Sequence, residues 1–79
     1  MPVNVTIAQV IDTTGEFCPL PVVKAKLAID KLSPGQVLKV ICTDPGSKSD
    51  FPGWASTTGN QLLEMEDKND SFIFYIQKS

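Results

Sequence analysis

The chain has no histidine, only two cysteines (Cys18 and Cys42) and no tract of basic residues. Without histidine, no Cys–His nucleophile pair can form within it. Two cysteines do not complete a zinc site unless Asp or Glu supplies the remaining ligands, so no metal and no cofactor are expected. The cysteines are not spaced as C-x-x-C, which excludes a local thioredoxin-type dithiol. A net charge of −2 without basic clusters argues against direct nucleic-acid binding. No apolar run approaches a membrane span, and no charged segment followed by an apolar one opens the chain, so a cytoplasmic location is expected. What remains is a chain of 79 residues, 42% hydrophobic, which is enough for one domain with one small core. A monomer is expected.

The chemistry concentrates in Gly15-Glu16-Phe17-Cys18-Pro19-Leu20-Pro21. Proline is tolerated in the first turn of a helix, where its missing N–H has no partner to lose. Two prolines two apart, ahead of good helix formers, fix a helix start with Cys18 at or beside the N-cap. Gly15 supplies the permissive backbone for the sharp entry. A sulfur held there sits at the positive end of the helix dipole, which offers about 0.3–1 kcal/mol to an anion. That is too little to ionise an ordinary thiol fully at neutral pH, and Glu16, two residues away, opposes it. Cys18 is therefore expected to rest mostly as thiol, whereas a persulfide, a stronger acid, would be largely anionic in the same place.

Gly-X-X-Cys-Pro-X-Pro, with Asp44-Pro45 and Asp50-Phe51-Pro52-Gly53 downstream, resembles the TusA (SirA-like) family of small sulfur carriers over residues 11–78. The resemblance implies that Cys18 carries a persulfide, supported by Gly15, Pro19 and Pro21. It implies a sulfur donor, either a cysteine desulfurase or a rhodanese-type enzyme, and an acceptor protein in a relay that ends in tRNA thiolation, cofactor synthesis or sulfur oxidation. The chain would then be a sulfurtransferase-type carrier rather than a free-standing catalyst. Many family members carry His after the glycine that ends the second helix; here Asn60 follows Gly59.

The pattern predicts strands over residues 3–11, 36–43, 61–66 and 71–78, with helices over 19–32 and from Asp50 to about Thr58. Residues 12–17 read as a loop, Asp50 as an N-cap with Pro52 in the first turn, and Gly59 as a helix stop. The order β-α-β-α-β-β predicts an α/β fold of the two-layer α+β sandwich type: a four-stranded mixed sheet with two helices on one face. The family resemblance implies spatial order 1-2-4-3 with the last strand antiparallel. In the first helix, Pro21, Val22, Ala25, Ala28, Ile29 and Leu32 share a face that should be buried. Leu20, Val23 and Leu27 lie on the other side with Lys24, Lys26 and Lys31. Two readings stand for them: scattered surface residues, or a partner-docking strip of Leu20, Val23, Lys24, Leu27 and Lys31 beside Cys18.

Cys42 alternates with Leu38 and Val40 in a strand and reads as core; its rival role is to pair with Cys18 in a redox switch. Phe72, Phe74 and Ile76 are the expected core face of the last strand. Turn and capping chemistry accounts for Asp44, Asp50 and Pro52, and packing for Trp54. Two further functions stay open: a thiol-based redox regulator, and an interaction module in which Cys18 is incidental.

Overall fold

The computed structural model describes residues 7–17 and 20–79. The expected strand start at Val3, and Cys18 and Pro19 of the motif, lie outside the described residues. The elements are β1 (Ile7–Thr13), α1 (Leu20–Ile29), β2 (Val37–Cys42), α2 (Ser47–Thr58), β3 (Gln61–Asp67) and β4 (Phe72–Gln77). They form one four-stranded sheet in the order β1-β2-β4-β3. β1 runs parallel to β2, and β4 runs antiparallel to both β2 and β3. Fold class, strand order and the direction of the last strand are all as expected.

Both helices pack on one face. Ala25, Ala28 and Ile29 of α1 and Phe51 of α2 join Leu38, Val40 and Cys42 of β2 and Phe72, Phe74 and Ile76 of β4 in the main core. Phe51 stacks on Phe74 with ring centroids 4.5 Å apart, and Trp54 meets Phe51 edge-on at 5.9 Å. Trp54 is therefore packing, as its sequence context suggested. On the opposite face Val37, Ile73 and Tyr75 form a smaller cluster with Ile7, Ile41 and Leu63 against it. Lys39 crosses the Tyr75 ring there, 5.9 Å from its centroid, and the Tyr75 hydroxyl donates to Glu66. The second face of β2 carries half-buried Lys39 and Ile41, but Val37 is fully enclosed.

Several boundaries differ from expectation, each for a local reason. β1 continues through Asp12 and Thr13, which read as loop, because they pair with Ile41 and Cys42 of β2. α1 ends at Ile29 rather than Leu32; Lys31 and Leu32 donate three residues back, to Ala28 and Ile29, in a tightened last turn. Leu32 still packs against the core. α2 starts at Ser47, with Gly46 and not Asp50 at the N-cap. A turn seeds it early: the Gly46 N–H donates to the Asp44 carboxylate at 3.1 Å, and Ser47 N–H to the Asp44 carbonyl at 3.0 Å. Asp50 thus falls in the first turn and Pro52 inside the helix. Gly59 closes α2 in the left-handed conformation (φ 78°), as expected of a helix stop.

Candidate functional site

Because β1 and β2 are parallel, their carboxyl ends lie side by side, and each leads into a helix. Ligands of α/β sheets gather outside such ends. The motif joins this edge through its backbone. Gly15, at φ 82°, turns the chain out of β1, and its N–H donates to the Thr43 hydroxyl just past β2 at 2.8 Å. Glu16 N–H donates to the Thr13 carbonyl at 3.0 Å, and Leu20 N–H to the Phe17 carbonyl at 2.9 Å. The last of these bonds draws together the two flanks of Cys18 and Pro19, which themselves lie outside the described residues. Pro21, in the first turn of α1, is buried.

The outward side of this edge is apolar. Leu20 is 50% exposed, Val23 45% and Leu27 59%, and Phe17, next to Cys18 in the chain, is 69% exposed. In the sequence, Phe17 stands out only as a large aromatic side chain in a loop, directly before the cysteine. Lys24 extends from the second turn of α1 to form an ion pair with Glu16. Lys26 is instead paired with Asp30 one turn on, at 2.8 Å. Lys31 is exposed just past the end of α1, about 16 Å along the helix direction from Leu20. The structure therefore brings Gly15, Pro21, Leu20, Val23 and Lys24 to the motif end, with Leu27 one turn further and Lys31 remote.

Beneath the edge lies Cys42, fully buried. The Thr13 hydroxyl is 2.7 Å from the Ile41 carbonyl and 3.3 Å from the Cys42 sulfur. Burial pushes the Cys42 thiol above its ordinary range; hydrogen bonds from Thr13 and Ser47 oppose the shift, and Asp44 and Asp12 add to it. Cys42 therefore stays protonated at neutral pH, as its core reading requires.

Two further motif positions have local explanations and one does not. Asp44 holds the turn before α2. Asn60 donates to the Thr58 hydroxyl at 2.9 Å and accepts from Ser79 N–H at 3.0 Å, tying the chain's last residue to the end of α2. Asp50 has a buried carboxylate oxygen with no hydrogen-bond partner among the described residues, and Gly46 holds the N-cap, so capping does not account for it.

Comparison with known proteins places this arrangement. The family described as Sulfurtransferase TusA matches residues 9–78. The sulfur carrier protein TusA of Allochromatium vinosum is 48% identical over 71 residues, covering 90% of this chain and 93% of that one. The TusA of Pseudomonas aeruginosa is 33% identical over 73 residues, covering 92% of each. Among solved structures, the SirA-like protein of Desulfitobacterium hafniense superposes with a TM-score of 0.76 at 30% identity, covering 87% of this chain and 95% of that one. With the family match over nearly its whole length and a relative 48% identical, the chain belongs to the TusA family.

Proposed function

We propose that the protein is a sulfur carrier in which Cys18 cycles between thiol and persulfide. In loading, the Cys18 thiolate attacks the terminal sulfur of a donor persulfide. A new S–S bond forms on Cys18, the donor's S–S bond breaks, and its electron pair leaves with the donor's cysteine thiolate. In delivery the acceptor's thiolate attacks the terminal sulfur, and Cys18 departs as the thiolate. The terminal sulfur changes hands at the same oxidation level, so neither step needs an outside oxidant or reductant. The chain has no histidine to move protons, so proton transfer falls to solvent or to the partners. The donor is a cysteine desulfurase or a rhodanese-type enzyme, and the acceptor is the next protein of a cytoplasmic relay that ends in tRNA thiolation, cofactor synthesis or sulfur oxidation.

The observation that carries this reading is the exposed strip of Phe17, Leu20, Val23 and Leu27 at the motif end. Handing over one atom requires the partner's thiol to come within bonding distance, so the partner must cover this face. A redox switch within the chain would instead need Cys42, which is enclosed. The test is incubation with a desulfurase and cysteine, followed by intact mass and peptide mapping. One added sulfur atom on Cys18 is the expected result. Sulfur found mainly on Cys42, or on neither cysteine, sinks the proposal, and a Cys18→Ser chain that still functions would make it an interaction module.

A further inference from the structure

We propose that the Glu16–Lys24 ion pair governs the reactivity of Cys18, with Lys24 as the positioning residue that cancels a negative charge built into the motif. The consequence for sulfur transfer rests on the carrier reading above; the electrostatic effect itself does not.

Glu16 stands two residues before Cys18 in the chain, so covalent geometry alone keeps their Cα atoms within roughly 7 Å. A carboxylate that close disfavours a thiolate, and disfavours a persulfide anion equally. One Glu16 oxygen meets the Lys24 ammonium. The other is shut off from solvent and takes no hydrogen bond from any described residue. The Glu16 side chain is 26% and the Lys24 side chain 49% exposed, so water screens the pair in part, and Lys24 is the cation that meets this carboxylate among the described residues. Lys24 reaches it from α1, spanning the whole segment that contains Cys18, so the pair links the chain before the cysteine to the helix after it.

Both half-reactions place negative charge on the same sulfur. Cys18 attacks as thiolate during loading and leaves as thiolate during delivery, so a neutralised Glu16 favours each. Lys24 lies between Leu20, Val23 and Leu27 in the chain, and a partner covering that strip also covers the ion pair, removing water from it. The pair then acts more strongly in the complex than in the free carrier.

The test is the pH profile of Cys18 alkylation by iodoacetamide, followed by peptide mapping so that Cys42 is counted separately. Lys24→Met should shift the profile to higher pH and slow alkylation at neutral pH roughly threefold; Glu16→Gln should shift it to lower pH and speed alkylation by a similar factor. The double variant should return to the wild-type profile, and Lys24→Arg, which keeps the charge, should never leave it. Asp12, Asp44 and Asp50, the other acidic groups at this end, are the same in every variant. A merely structural pair would move both single variants in one direction, because either change breaks the same bond; that result, or unchanged profiles, overturns the proposal. Lys24→Gln serves as a second neutral variant should Lys24→Met fold poorly. No sulfur donor enters the experiment, so opposite shifts in a chain that does not load sulfur would remove the carrier reading and leave the pair's role standing.

Discussion

Cys42 illustrates how a fold withdraws a thiol from reaction. Its sulfur lies in the main core, and burial disfavours the charged form more than the hydrogen bonds from Thr13 and Ser47 favour it. In the native protein Cys42 is expected to react with a bulky maleimide far more slowly than Cys18, and at a comparable rate in denaturant. Equal native rates would mean that the strand's face assignment is wrong. Stability should depend on pH with a definite sign. The folded thiol titrates above the unfolded one, so its contribution is complete below the ordinary thiol range. It is lost as pH rises from there through the folded value. Denaturation followed between about pH 7 and 10 should show a steeper alkaline loss for the wild type than for Cys42→Ala. Tyr75, whose hydroxyl is also held above its usual range, chiefly by burial, adds a loss at higher pH that both proteins share.

At the level of the element, α1 has two apolar stripes and needs two destinations. Ala25, Ala28 and Ile29 go to the core, while Leu20, Val23 and Leu27 are left outside. Val23→Asp or Leu27→Asp should therefore leave folding and small-reagent alkylation of Cys18 nearly unchanged. Either should slow transfer from the donor enzyme about ten- to hundredfold, the loss expected if one apolar side chain worth about 1.5–3 kcal/mol is buried in the complex. Wild-type transfer rates would make the strip ordinary surface, and unfolding would make these residues core. The division between the two stripes was legible in the sequence because a helix of ten residues imposes its 3.6-residue period regardless of what packs on it. The start of α2 was not. Asp50 followed by Phe51-Pro52 has the look of a cap, but a turn closed by the Asp44 carboxylate nucleates the helix a turn earlier. The end of β1 was hidden for a different reason: Asp12 and Thr13 have turn-like character, and only the pairing with Ile41 and Cys42, far off in sequence, holds them extended. The Glu16–Lys24 pair could not be read at all, because it joins a loop to a helix across a separation that no helical or strand period favours.

At the level of the whole molecule, the strand order has the last strand inside the sheet. β4 is bounded by β2 on one side and β3 on the other, and it supplies Phe72, Phe74 and Ile76 to the core that seats both helices. During synthesis, β1, α1 and β2 emerge first, carrying the whole Gly15–Pro21 motif. Yet β2 remains an open edge until Phe72–Gln77 has cleared the ribosome. A nascent chain stalled before Phe72 should thus be readily cleaved by protease, and one extended well past Ser79 by a linker should resist. Protection of the shorter chain would show that the first half folds alone. The order β1-β2-β4-β3 has the motif translated before the strand that completes the core beneath it, so a growing polypeptide carries Gly15–Pro21 without that support until β4 is in place.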